Sequence, residues 1–136
     1  TIDARTNSVP PLRIAFITSE ATASASELLI NSLSPFVEVA LIGSDTSGKA
    51  VGQYAFDQTG CDTRLRLVSF ETVNGEGFGG FYTGLVDTGR FTLCATEDTF
   101  TGAFGAPEEQ LTSGALAWLL ASVAQRTVSD CSRAPR

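Results

Sequence analysis

The sequence predicts a single α/β domain organised around a strand, helix, strand unit. Its 136 residues suit one domain, and a hydrophobic share of 43% is enough to build one sizeable core. Two short apolar runs typical of strands, residues 12–18 and 36–42, flank a segment with helical spacing at residues 24–33. This order of elements is a βαβ unit, which normally places its two strands parallel in one sheet.

The helix at residues 24–33 is predicted from the spacing of its apolar residues. Ala25, Leu29 and Leu33 recur every four residues and so share one face of a helix. Pro35 ends the helix because proline cannot donate a backbone hydrogen bond and its ring clashes with the preceding turn. The two flanking runs have the uninterrupted apolar character of buried parallel strands.

The rest of the chain is predicted to add strands and a C-terminal helix. Pro107, Glu108 and Glu109 favour the first turn of that helix, since proline and acidic side chains suit a helix N terminus. The predicted ranges are strands at 50–56 and 64–73, an irregular glycine-rich segment at 75–89, a long connection at 93–112 with a short helix near Ala103, and the final helix to about Val123.

Charge and hydropathy exclude two classes of partner. The net charge of −6 carries no basic stripe, which argues against a nucleic acid. No apolar stretch reaches the roughly 18 residues of a membrane-spanning helix, so no span is expected.

The three cysteines, Cys61, Cys94 and Cys131, form no CxxC pair, and the chain has no histidine. We therefore expect no metal site. One disulfide and one free thiol are expected, which suits an oxidising compartment; three reduced thiols in a cytosolic protein are the alternative. Pairing of Cys131 with Cys61 or with Cys94 stays open, because spacing does not reveal connectivity.

The basic residues point to a candidate catalytic base. Eight of the nine are arginines, and Lys49 is the one lysine. Without histidine, a serine hydrolase must use another base, and lysine is the natural candidate. A lysine accepts a proton near neutral pH only where burial disfavours its charged form, so a half-buried Lys49 is predicted. Gln53 lies four residues further, on the same face of a strand, where its amide oxygen would orient the amine.

The candidate nucleophile is Ser24, which begins the predicted helix and precedes Glu27 by the spacing of a capping box. A serine at a helix start leaves the backbone N–H of Ala25 free to face a developing oxyanion. Ser24, Lys49 and Gln53 then form a nucleophile, base and orienting residue.

These segments together resemble the signature of the S41 tail-specific, or C-terminal processing, serine proteases. The signature comprises a [ST]-A-S-A-S-E-hydrophobic segment, here residues 22–28 (TASASEL), then Gly-Lys, here within 46–49 (TSGK), and Gln53 four residues on. Lys49 follows Ser24 by 25 positions, which selects Ser24 over Ser26 as the matching nucleophile. The similarity is strong over residues 12–53 and weaker beyond.

The resemblance implies a ClpP/crotonase-like α/β core, cleavage of protein carboxyl-terminal regions or unfolded proteins, no cofactor, and a periplasmic, lumenal or secreted location. Residues 1–136 would be the carboxyl-terminal part of the catalytic domain, with the upstream glycine-rich oxyanion turn and any PDZ domain absent. Such a piece is expected to be weakly active or inactive. One departure is Ala50, where the family often has glycine.

The sequence leaves three alternatives open. Residues 43–49 fit the first seven positions of a P-loop, but Ala50 replaces the hydroxyl that would meet Mg²⁺, and a strand is predicted where a helix should begin. Residues 87–89 (DTG) resemble the motif of aspartic proteases. The chain would otherwise be a non-catalytic binding or scaffold domain of the same fold.

Overall fold

The computed structural model describes Thr6 and residues 13–121, and within them it has two helices, five strands and one short 3-10 turn. In chain order the elements are β1 (Arg13–Thr18), α1 (Ala25–Leu33), β2 (Glu38–Gly43), β3 (Val51–Asp57), β4 (Arg64–Glu71), the 3-10 turn (Val86–Thr88), β5 (Thr92–Ala95) and α2 (Gln110–Leu120).

The predicted βαβ unit is confirmed. β1 and β2 pair in parallel from Arg13 opposite Glu38 to Thr18 opposite Gly43, and α1 connects them. β5 pairs in parallel with the other side of β2, so the strand order is β1, β2, β5. Because all three strands run the same way, their carboxyl ends meet at one edge of the sheet.

The core lies on both faces of β2, which is buried from Val39 to Gly43. Successive side chains of a strand point to opposite faces, and those of β2 enter two different clusters. Leu41 packs in a cluster with Ile30 of α1, whereas Ile42 packs in a cluster with Trp118 of α2. The sheet therefore holds one helix against each face.

β3 and β4 form a separate antiparallel hairpin with a β-bulge at Gly52 and Gln53. The direct cross-strand pairs Tyr54 with Leu67 and Phe56 with Leu65 place apolar side chains on one face. Each of these four residues is exposed in the chain. The hairpin is thus amphipathic but projects away from the core.

The second half of the chain departs from the predicted elements in three places. The sequence predicts a connection where the structure has β5, because a four-residue strand shows little pattern until its pairing with β2 is known. The predicted short helix near Ala103 is wrong, since that segment forms turns. The final helix begins at Gln110, with Glu109 as its N-cap and not in its first turn. It ends at Leu120, and the predicted end at Val123 falls outside the described residues.

The cysteines agree with one disulfide and one free thiol. Cys94 is disulfide-bonded and buried in the cluster around Trp118. Cys61 is a free, exposed thiol at the tip of the hairpin, which excludes its pairing with Cys131. Cys131 itself lies outside the described residues.

Within residues 13–121, neither helix has the length and apolar character that crossing a membrane would require.

Candidate active site

Ser24 occupies a strained turn at the carboxyl edge of the parallel sheet. β1 ends at Thr18, the chain turns, and α1 begins at Ala25. Ser24 has φ 58° and ψ −111°, and it shares a positive φ with only one other non-glycine residue of the described chain, Phe100. Such a backbone conformation costs about 1–3 kcal/mol and is retained where the surroundings enforce it. Ligands of open α/β sheets bind at this same edge.

Glu27 connects this turn to the segment that carries Lys49. Its side chain is fully buried, with 0% exposed surface. Oε2 accepts hydrogen bonds from the backbone N–H groups of Ser24 at 2.7 Å and Lys49 at 2.9 Å, while Oε1 accepts from the N–H of Gly48 at 2.6 Å. The backbone nitrogens of Ser24 and Lys49 both donate to Oε2, at 2.7 and 2.9 Å. The two nitrogens therefore lie at most 5.6 Å apart, the sum of these distances.

The loop at residues 44–50 is held on its other side by the segment around the 3-10 turn. The backbone N–H of Leu85 donates to the buried hydroxyl of Thr46 at 3.0 Å, and the N–H of Val86 donates to the carboxylate of Asp45 at 2.9 Å. A further backbone bond, from the N–H of Ser47 to the carbonyl of Thr22 at 2.8 Å, joins the loop to the turn before Ser24. The position of the lysine backbone is therefore over-determined.

Gly48 is required by this packing. It has φ +87°, and a Cβ at this position would lie 2.5 Å from the carbonyl carbon of Tyr82 and 2.9 Å from the nitrogen of Gly84. The glycine of the Gly-Lys pair thus lets the loop approach a neighbouring backbone.

The phenol of Tyr82, whose backbone lies beside this glycine, has a pKa above its ordinary value. Desolvation is the main cause, followed by a hydrogen bond to Glu71.

The side chains of Lys49 and Gln53 are both exposed in this chain, and the expectation of a half-buried lysine is not met. Among residues 13–121, no hydrogen bond or ion pair engages the Lys49 ammonium group or the Gln53 amide. Lys49 precedes β3, which begins at Val51, so strand alternation does not place the two side chains on one face. The structure brings the backbones of Ser24 and Lys49 together, but among residues 13–121 it gives the Lys49 ammonium group no partner.

The backbone N–H of Ala25 has no acceptor among the hydrogen bonds of the described residues. The first N–H groups of a helix lack intrahelical acceptors. This N–H could therefore serve as one donor to an oxyanion formed at Ser24.

A cleft of about 820 Å³ opens at the carboxyl edge of the parallel sheet. Its walls include Ser19 and Thr22, which belong to the turn that leads to Ser24, and Glu97 and Asp98, which follow β5. Neither Ser24 nor Lys49 is among the residues that line the cleft.

The structure contradicts the P-loop alternative. Residues 43–49 do follow a strand, but they lead into β3 and not into a phosphate-binding helix. The N–H groups of Gly48 and Lys49 already donate to Glu27 and cannot bind phosphate in this conformation. The aspartic protease alternative loses its basis as well, because Asp87 lies within the 3-10 turn and its N–H donates to the side chain of Asp45.

Sequence reasoning missed most of what holds this site together. The capping-box spacing identified the bond from Ser24 to Glu27, but it carried no signal for the bonds from Gly48 and Lys49, which lie 21 and 22 residues away. The contributions of Asp45 and Thr46 were also missed, since their partners come from residues around position 85.

Comparison with known proteins gives one solved structure with a similar fold. No sequence-family model matches the chain, and no curated protein matches it. The similar structure is described as "Putative S41 protease from Bacteroides fragilis NCTC 9343"; it is 28% identical to this chain with a TM-score of 0.68. The match covers 79% of this chain but 28% of the other chain, so the sequence corresponds to a minor part of that protein. The chain therefore has an S41-like α/β fold.

Proposed function

We propose that this chain is the carboxyl-terminal part of the catalytic domain of an S41-type serine endopeptidase with a ClpP/crotonase-like core. Ser24 is the nucleophile, Lys49 the general base, and Gln53 the residue that orients the lysine. The observation that carries the proposal is the strained Ser24 turn, whose backbone nitrogen lies within 5.6 Å of that of the one lysine in the chain. At this spacing a lysine side chain is long enough to reach the serine hydroxyl.

The proposed chemistry is acyl transfer through Ser24. The neutral Lys49 amine accepts the proton of the Ser24 hydroxyl while Oγ forms a bond to the carbonyl carbon of the substrate peptide. The N–H of Ala25 donates to the resulting oxyanion, and the protonated lysine returns its proton to the leaving amine as the peptide bond breaks. Water then attacks the carbonyl carbon of the acyl-enzyme while Lys49 accepts its proton; the ester bond to Ser24 Oγ breaks, the proton returns to Oγ, and the carboxylic acid product leaves.

The exposure of Lys49 sets a condition on this mechanism. A lysine acts as a general base in a site that is shielded from water. We propose that other parts of the complete protein cover Lys49 and supply further oxyanion donors. Losing one such donor typically lowers kcat by on the order of 100-fold or more. The 136-residue piece is accordingly expected to be weakly active or inactive.

The proposed substrates are carboxyl-terminal regions of proteins or unfolded proteins, as in the family that the chain resembles. A periplasmic or secreted location is proposed as well. The disulfide at Cys94 supports it, because disulfides persist in oxidising compartments.

The proposal is tested by casein cleavage with the full natural protein. Ser24→Ala and Lys49→Ala should each lower kcat by about 10⁴-fold or more, as removal of a catalytic group does in serine proteases. Ser26→Ala is the matched control, since Ser26 is an exposed serine on the first turn of α1. Undiminished cleavage by the Ser24→Ala protein would refute the assignment.

The exposed Lys49 favours one other candidate, a non-catalytic binding or scaffold domain of the same fold. The same variant separates the two. If the chain is a binding domain, the Ser24→Ala variant should still bind its protein partner, and casein turnover should not depend on Ser24.

A further inference from the structure

The environment of the Glu27 carboxylate is unusual for a helix cap. The Glu27 side chain is completely buried, and no salt bridge among residues 13–121 involves it. Three backbone N–H groups offset the cost of burying this carboxylate, because they donate to its two oxygens at 2.6–2.9 Å. Hydrogen bonds to an ionised acceptor are stronger than those between neutral groups.

Capping of α1 accounts for one of the three bonds. In a capping box the glutamate returns to the N–H of the N-cap residue, which is Ser24 here. The bonds from Gly48 and Lys49 cross to a loop that is distant in sequence and that leaves the carboxyl end of β2. A glutamate that served only the helix would need neither of them.

We propose that Glu27 is a positioning residue that sets the distance between the nucleophile and the base. The inference rests on the proposed function, because it assigns Glu27 to the Ser24 and Lys49 pair. A single oxygen, Oε2, receives the N–H groups of both residues, so any shift of the lysine loop relative to the serine turn breaks one of the two bonds. The proton transfer between their side chains depends on that distance.

Both the charge and the length of this side chain are needed. Glutamine has the same shape, but its NH₂ group cannot accept a hydrogen bond and would face a backbone N–H. Aspartate keeps the charge but is one methylene shorter, so it cannot hold Ser24 and still reach Gly48. Each replacement should therefore disturb the spacing while leaving Ser24 and Lys49 in the chain.

The test compares steady-state casein cleavage by the full natural protein and its Glu27→Gln and Glu27→Asp variants. We expect kcat to fall by about 100-fold in both, the effect of a misplacement of about 1 Å, with KM within about threefold of the natural value. Glu108→Gln is the matched control, because Glu108 is exposed and should leave both constants unchanged. A purely structural role would lower the amount of folded enzyme and leave kcat per folded molecule unchanged.

A second measurement uses the unsubstituted protein and requires no activity. The N–H groups of Ser24 and Lys49 should be protected from hydrogen–deuterium exchange, although one stands at a helix N terminus and the other belongs to an exposed residue. Exchange of both at the rate of a free loop would overturn the inference. If circular dichroism shows that both Glu27 variants are unfolded, hydrogen–deuterium exchange of the unsubstituted protein tests the inference in their place.

The outcomes also separate this inference from the proposed function. Cleavage within twofold of the natural rate in either Glu27 variant, together with an inactive Ser24→Ala protein, would overturn the positioning role and leave the protease proposal standing. Full activity of Ser24→Ala would refute the protease proposal itself. In that case, protection of the Ser24 and Lys49 N–H groups would still show that Glu27 joins the two segments. The role of Glu27 in catalysis would be rejected.

Discussion

Replacing Gly48 by alanine tests the packing that places Lys49. The backbone of Gly48 is left-handed at φ +87°, and a non-glycine residue in that region costs roughly 1–2 kcal/mol. The added Cβ would also meet backbone atoms of Tyr82 and Gly84 at 2.5 and 2.9 Å, which a side-chain rotation cannot relieve. Overpacking of this kind costs about 1–3 kcal/mol.

The expected total is therefore about 2–5 kcal/mol out of a typical domain stability of about 5–15 kcal/mol. For a chain of this length, this corresponds to a fall in Tm of roughly 6–20 °C. Urea denaturation followed by circular dichroism measures the free energy of unfolding, and a thermal scan measures Tm.

Gly60 provides a matched control in the hairpin turn. Its φ of +89° is almost the same, but a Cβ there would have no heavy atom within 4 Å. Gly60→Ala should thus show only the conformational cost of roughly 1–2 kcal/mol. The entropy that alanine removes from the unfolded chain is common to both variants and cancels in the comparison. Equal losses in the two variants would refute the close approach of the Gly48 loop to Tyr82.

Three further measurements test the fold. Ile30→Ala should lower the free energy of unfolding by about 2–5 kcal/mol, because Ile30 is 1% exposed in the core, whereas Leu29→Ala, at 52% exposed, should cost much less. The side-chain and backbone bonds from Thr112 and Leu111 lower the pKa of Glu109 below its ordinary 4.5. Its stabilising contribution is therefore present above about pH 4.5 and lost on acidification, so Glu109→Gln should flatten the dependence of Tm on pH between about 6 and 3. Cys61→Ser should leave one disulfide by intact mass; loss of that disulfide would contradict the free thiol at Cys61.

Local patterns were enough to predict the first half of the fold. The helical spacing of Ala25, Leu29 and Leu33 and the two apolar runs gave α1, β1 and β2 to within about two residues, because each signal lies inside its own segment. β5 was not predictable from its own residues, because its four residues form a strand only by pairing with β2. The exposed Lys49 was likewise not foreseeable, because burial depends on what packs above a residue and not on its small neighbours.

The sequence by itself determined the candidates for chemistry. A chain without histidine and with one lysine limits the possible bases, and the spacing of Ser24, Lys49 and Gln53 supplies the resemblance to S41 proteases. Only the tertiary structure decided how these residues are held. The turn at Ser24 and the loop of Lys49 meet through Glu27, whose bonds span 3, 21 and 22 positions along the chain. Contacts of such separation depend on the folded path of the backbone, since no local periodicity records which distant N–H groups a buried carboxylate will accept.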